Sequence, residues 1–295
     1  PVGGRNARGK ALVNILPIPS GVSIAATMAV DRDEADWSDL QIVFATSEGD
    51  VRRNALSDFT NVMRNGKIAM RLPEGVSLVN ARIATEQDDV MLVTAQGKAI
   101  RFPTTDVRVF KGRDSTGVRG IKLASGDTVV SMAVIRHFEA SPEERAAYLK
   151  MRRAVAGQVE EEESDDEEAV AGSISQERYA AMSAAEDLIL TLTERGAGKL
   201  SSSHDYPVRG RGGQGVMAMD KAMRGGDLVA SFPVDLDDQI MLATDKGQSI
   251  RVPVADISFR SRGAGGVKVF DTAVGERVVS VAWIAEKNEE DEAES

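Results

Sequence analysis

Val90-Met91-Leu92-Val93-Thr94-Ala95-Gln96-Gly97-Lys98-Ala99-Ile100-Arg101 decides the fold, because its pattern returns three more times in the 295 residues. Ile42-Val43-Phe44-Ala45-Thr46 leads to Gly49, Leu188-Ile189-Leu190-Thr191-Leu192-Thr193 to Gly196, and Ile240-Met241-Leu242-Ala243-Thr244 to Gly247. Each copy is a short β-rich run closed by Thr-x-x-Gly. Four residues beyond the Gly stands Arg53, Arg101, Leu200 or Arg251, and in the third copy the charge moves one place, to Lys199. An interval this short, with Gly and polar residues at its centre, reads as a hairpin turn between two strands.

Two further signatures extend the repeat. Arg-x-x-x-Gly follows some 17 to 20 residues later, as Arg113 to Gly117, Arg211 to Gly215 and Arg262 to Gly266; the first copy offers Arg64 and Gly66-Lys67 instead. A Gly and an apolar strand then close each unit: Gly75 to Val79, Gly126 to Val130, Gly226 to Val229, Gly275 to Val279. Each unit therefore carries about four short strands, the content of one propeller blade. The pattern predicts an all-β, propeller-like protein with complete units near 40–85, 88–135, 186–234 and 237–284. At the N-terminus, Arg5 to Gly9 matches the second signature and Gly21 to Ile24 the third, with no hairpin before them. Residues 1–30 thus read as a half unit packed beside a neighbour, and the chain as part of a longer protein.

Residues 138–187 lack every element of the repeat and read as an insertion. Ser141-Pro142-Glu143-Glu144 is a capping box with Pro at the first helical position. Glu160 to Glu168 holds eight acids in nine residues, expected to be solvated and disordered, and Ser175 to Ala185 predicts a second short helix. The tail 285–295 is expected to be disordered and acidic. These two blocks carry net charges of −9 and −5, so the remainder is +4 although the whole chain is −10. The structured part is mildly basic, a sign that the total conceals.

Composition removes several function classes. With no Cys there is no disulfide framework or thiolate chemistry, and two His leave little for a metal site. No apolar run approaches a membrane span and no signal-peptide pattern opens the chain, so it reads as soluble and intracellular, without a membrane partner. Aromatics at 4% disfavour stacking platforms for single strands. His204 beside Asp205 and Ser201 to Ser203 suggests a nucleophile cluster only superficially, since such triads assemble from separate elements. It reads instead as a surface-loop histidine. No catalytic or metal-ligating residue is assigned, and no cofactor.

The strongest chemical signal is Arg209-Gly210-Arg211-Gly212-Gly213-Gln214-Gly215. Glycines let backbone approach a phosphate, and guanidinium groups bind phosphate oxygens bidentately. Arg5, Arg113, Arg211 and Arg262 hold the same place in successive units, which in a ring makes a curved basic track on one rim. Such a track suits duplex DNA held by its backbone. The candidate contacts are Arg5, Arg8, Lys10, Arg53, Lys67, Arg101, Arg113, Arg119, Lys199, Arg209, Arg211, Arg251 and Arg262, with Arg52 and Lys111 as further rim candidates. The acidic 158–168 segment would then compete with phosphate for these bases. A propeller serving as a scaffold for protein partners, its arginines only shaping turns, is the alternative.

Several stretches resemble a known family, that of the C-terminal domains of bacterial DNA gyrase A subunits. They are Ala7-Arg8-Gly9-Lys10 to Val13-Asn14-Ile15-Leu16-Pro17, Gly66-Lys67-Ile68-Ala69, Thr116-Gly117-Val118-Arg119-Gly120-Ile121 and Gln239-Ile240-Met241 to Gly247. The resemblance implies a β-pinwheel, propeller-like with strands exchanged between neighbours, that wraps DNA so that the rest of the type II topoisomerase introduces negative supercoils with ATP. It further implies two partners, the gyrase A N-terminal domains and the gyrase B subunit, in a complex of two copies of each chain. ATP and Mg would belong to the other domains, and the location would be the cytoplasm, on the chromosome. The related subunit of topoisomerase IV is the neighbouring reading. The family's Gln-Arg-Arg-Gly-Gly-Lys/Arg-Gly box belongs upstream of Pro1; Arg209 to Gly215 resembles it in a later unit. Tyr148, Tyr179 and Tyr206 do not match the family's catalytic tyrosine motif.

Overall fold

A computed structural model describes residues 14, 16–19, 21–30, 37–63, 65–155 and 173–284. The first unit supplies β1 (Gln41–Thr46), β2 (Asp50–Ala55) and β3 (Leu78–Ala84). The second supplies β4 (Asp88–Thr94), β5 (Lys98–Pro103), β6 (Val118–Arg119) and β7 (Val129–Arg136). After the insertion come β8 (Leu188–Thr193), β9 (Ala197–Ser202), β10 (Val216–Met217) and β11 (Leu228–Val234), then β12 (Gln239–Thr244), β13 (Ser249–Pro253), β14 (Val267–Lys268) and β15 (Val278–Ile284).

The Thr-x-x-Gly turn has a local cause. In all four copies the Gly amide donates to the Thr carbonyl, at 2.9 to 3.1 Å. The Thr hydroxyl accepts from the amide one residue past the Gly, as in Asp50 N to Thr46 Oγ1 at 3.1 Å and Lys98 N to Thr94 Oγ1 at 3.1 Å. The Gly stands at φ between +79° and +86° in each, where a β-carbon is disfavoured.

The sheets are not simply the sequence units. Their strand orders are β3-β1-β2-β6, β7-β4-β5-β10, β11-β8-β9-β14 and β15-β12-β13, every pair antiparallel. The short strand after each Arg-x-x-x-Gly is given to the sheet of the preceding unit. Its Gly explains the motif: a β-carbon on Gly117 would lie 2.4 Å from the Val51 carbonyl oxygen, and one on Gly215 2.3 Å from that of Ala99. Only a bare backbone comes that close. The fourth sheet has three strands among the described residues.

Alternate residues of one strand face opposite neighbours. Val90 and Leu92 pack with Val43 and Ala45 of the first sheet, while Met91 and Val93 pack with Ile189 of the third. Leu190 and Leu192 meet Ile240 and Leu242 of the fourth. With both faces covered, the central strands read as unbroken apolar runs. Ala26 and Met28 of the N-terminal segment pack on Ile42 and Phe44 of the first sheet.

The insertion forms α1 (Pro142–Val155) and α2 (Gln176–Ala184). The capping box is made: Glu144 N donates to Ser141 Oγ at 3.2 Å and Ser141 N to Glu144 Oε2 at 2.9 Å. Ser175 caps α2, accepting from Arg178 N at 3.1 Å. The Glu160–Glu168 run and the tail from 285 lie outside the described residues. Tyr148 of α1 sits edge-on to His204, ring centroids 5.0 Å apart, and His204 Nε2 donates to Met182 O of α2 at 2.8 Å. His204 is therefore no surface-loop residue: the helices bury it against the third unit. Burial, above all, holds its pKa below the ordinary histidine value.

Candidate nucleic-acid interface

The second strand of each sheet runs into a one-turn 3-10 segment: Leu56–Phe59, Thr104–Asp106, Ser203–Asp205 and Val254–Asp256. So tight a turn leaves carbonyls without a helical partner. The arginine that opens the next unit's Arg-x-x-x-Gly loop fills that need. Arg113 Nη1 donates to Asp58 O at 3.2 Å, Arg211 Nε to Asp106 O at 2.9 Å, and Arg262 Nε to Asp205 O at 2.8 Å. The three arginines thus share one structural place, as their spacing predicts, but that place is a clasp between neighbouring units. Arg113 is half-buried and Arg211 exposed. Arg262 is buried, and donates further to the Met217 carbonyl, so it is corrected from a free phosphate ligand to an internal clasp.

Three more candidates turn inward. Arg101 is buried, with Nε 2.7 Å from the buried carboxylate of Asp89; it also donates to the carbonyls of Ser203 at 2.7 Å and Arg136 at 2.9 Å. His137 holds the other Asp89 oxygen at 2.9 Å. Burial opposes the His137 charge, but Asp89 outweighs it, with help from Glu139, and raises the pKa. Arg53 is buried beside Gln41, 2.7 Å away, with Glu86 at 3.6 Å. Lys199 is wholly buried and donates to the carbonyls of Ser261 at 2.9 Å, Ala264 at 2.6 Å and Arg262. Burial, above all, pushes its pKa down to about 7, with Asp205 pulling the other way. Arg52, at the corresponding place in the first unit, is likewise buried and bonded to Ser115. Arg52, Arg101 and Lys199 tie neighbouring units together, Arg53 braces its own unit and the link after it, and all four are buried and closed to a phosphate.

Lys67 is half-buried and donates to the carbonyls of Asp58 at 3.2 Å and Thr60 at 2.5 Å. Arg5, Arg8 and Lys10 lie outside the described residues. Arg251 is exposed on β13 of the fourth sheet.

What remains is brought together between the second and third units. The loop 209–215 lies over residues 119–122: Gly212 N donates to Gly120 O at 2.6 Å, Lys122 N to Gly213 O at 2.8 Å, and Arg211 Nη1 to Arg119 O at 2.9 Å. Arg119, Lys122, Arg209 and Arg211 are all exposed there, and Arg108 and Lys111 are exposed on the loop leading from Asp106. The side chains of Arg119 and Arg209 make no hydrogen bond or ion pair among the described residues. Sequence reading missed Arg108 and Lys122, which lie outside the repeated signatures. A strip of exposed guanidinium and ammonium groups on a braced backbone can bind successive phosphates without reading bases.

A family profile described as "DNA gyrase C-terminal domain, beta-propeller" matches residues 41–85, 88–136, 187–232 and 238–282, one range for each of the four sequence units. The chain is 45% identical over 306 residues to the DNA gyrase A subunit of Granulibacter bethesdensis, covering 99% of this chain and 33% of that protein. It spans about a third of the length of the curated relatives it matches. Among solved structures it resembles the C-terminal domain of DNA topoisomerase IV, at TM-score 0.68 and 21% identity over 93% of this chain and 70% of that one. It also resembles the DNA gyrase A C-terminal domain, at TM-score 0.60 and 21% identity over 84% and 67%. At that identity the two structures bear on the fold alone.

Proposed function

The chain belongs to the DNA gyrase C-terminal domain family of β-propellers, and from that premise we propose that it binds duplex DNA along its basic strip and wraps it within a gyrase. The observation that carries this reading is the strip itself: Arg119, Lys122, Arg209 and Arg211 exposed together where loop 209–215 crosses residues 119–122. Bending a duplex of 20 to 30 base pairs costs on the order of 1 to 6 kcal/mol, which many distributed phosphate contacts offset. The wrapped segment would be presented to the cleaving and ATP-hydrolysing domains of a type II topoisomerase. ATP and Mg act in those domains, and the partners are the gyrase A N-terminal domains and the gyrase B subunit. The working location is the cytoplasm, on the chromosome. Relatives named as gyrase A subunits favour this over the topoisomerase IV reading.

The test is duplex binding of the full chain over a salt series. A backbone binder loses affinity linearly in log–log form, with a slope of about −0.9 per phosphate neutralised. Arg119→Gln should reduce the slope by about one contact at every sequence tried. Binding that ignores salt, or that Arg119→Gln leaves unchanged, would favour a protein-partner scaffold.

A further inference from the structure

The insertion brings a basic side chain to this strip. Helix α1 packs on the turn Ser203–Asp205 through Tyr148 and His204. Arg145 lies three residues before Tyr148, so it shares the helix face that meets the turn. Arg209 follows the same turn four residues past Asp205, its backbone fixed by Arg209 N donating to Arg101 O at 2.8 Å. Arg145 is half-buried and Arg209 exposed, and neither side chain has a hydrogen bond or ion pair among the described residues.

The nearby carboxylates are already engaged. Asp89 is held by Arg101 and His137. Asp205 accepts from Arg262 N at 2.6 Å and lies 3.7 Å from its guanidinium. Glu144 pairs with Arg178 at 2.8 Å, and Glu143 is hydrogen-bonded to Ser141 on the exposed first turn. Four arginines, Arg101, Arg145, Arg209 and Arg262, thus crowd one turn, and Arg145 and Arg209 share in none of its ion pairs. Burial first, then the positive charges of Arg101 and Arg209, hold the Arg145 guanidinium below the usual arginine range, against the pull of Asp205 and Glu143. Two guanidinium groups on separate elements beside one turn favour an anion there, and each can present a pair of N–H donors to phosphate oxygens.

We propose that Arg145 and Arg209 together grip one backbone phosphate of the duplex, making α1 of the insertion part of the DNA track. This rests on the duplex-binding reading above and deepens it. The phosphate belongs to DNA rather than to free solution because Arg209 sits beside Arg211 and Arg119 on the same strip.

The experiment uses the full chain, a fluorescent duplex and a salt series. Near 0.1 M salt, Arg145→Gln and Arg209→Gln should each weaken binding roughly 5- to 10-fold and lower the salt slope by about 0.9. Arg145→Lys should keep most of the affinity, and thermal midpoints show that each variant is folded. The double variant should lose no more slope than either single one, since both groups share a phosphate; a doubled loss overturns the shared site. Full affinity in Arg145→Gln beside weakened Arg209→Gln overturns the role of α1. Inorganic phosphate at constant ionic strength is the second arm. If it raises the midpoint of the wild type but not of Arg145→Gln, while their DNA affinities stay equal, the site takes free anion and the DNA assignment is wrong. A wild-type chain that binds no duplex would instead sink the underlying reading.

Discussion

Replacing Arg101 by leucine separates a structural arginine from a DNA contact. The side chain joins three places: Asp89 on β4, the carbonyls of Ser203 and Tyr206 in the third unit, and the end of β7 at Arg136. Without it Asp89, fully buried, keeps only His137, and three carbonyls lose a donor. Breaking a buried pair from one side costs about 3 to 5 kcal/mol. At about 2 to 4 °C per kcal/mol for a chain of this size, the melting midpoint should fall by roughly 6 to 20 °C. Thermal unfolding by circular dichroism reads this directly. Replacing Asp89 by leucine as well should recover part of the loss, because no charge then stays buried alone. Below the midpoint, duplex affinity of the folded variant should stay within about twofold of wild type, since the side chain is closed to a phosphate. A midpoint within about 2 °C of wild type together with lost DNA binding would refute the assignment, since a buried pair broken on one side costs far more.

Gly215→Ala should cost at least about 1 to 2 kcal/mol from the left-handed backbone alone. The clash with the Ala99 carbonyl adds to that, and faster amide exchange in β5 and β10 would report the loosened pair. Lys199 gives a pH signature. Its folded pKa of about 7 lies below the ordinary lysine value of 10.5, so between those limits the unfolded chain holds a proton that the folded one has released. Stability should rise with pH across that window, and Lys199→Met should flatten the rise in denaturant titrations at stepped pH. Replacing 158–168 by Gly/Ser should tighten duplex binding at low salt and converge with wild type as salt shortens the Debye length; equal affinities throughout would make the segment a spacer.

The Thr-x-x-Gly turns were legible because their geometry is local: one hydroxyl, one left-handed Gly and two hydrogen bonds lie within five residues. The recipient of β6, β10 and β14 was not legible from the repeat pattern, since a two-residue strand carries no mark of the sheet it joins; exchange between neighbours entered only through the family resemblance. The arginines on the second strands misled for a related reason. β2 and β5 are covered on both faces, so no alternation separates an inward Arg53 or Arg101 from an outward one. A twelve-residue pairing accompanies the inward arginines but does not mark them, since Gln239 stands twelve residues before Arg251, which is exposed. Gln41 stands twelve residues before Arg53 and Asp89 twelve before Arg101, each the partner of that guanidinium. Where the earlier place holds Leu188, the later holds Leu200. His204 was misread because the helices that bury it belong to the insertion, whose docking site no repeat pattern specifies.

Whether DNA follows a curved path on this chain is measured most directly by linking number. Nicked plasmid is sealed by ligase with increasing amounts of the full chain, then stripped of protein and resolved by topoisomer. Wrapping predicts a shift in mean linking number that grows with the protein-to-DNA ratio, disappears at high salt and shrinks in Arg119→Gln and Arg209→Gln. Plasmid that is fully bound yet sealed at an unchanged linking number would contradict it.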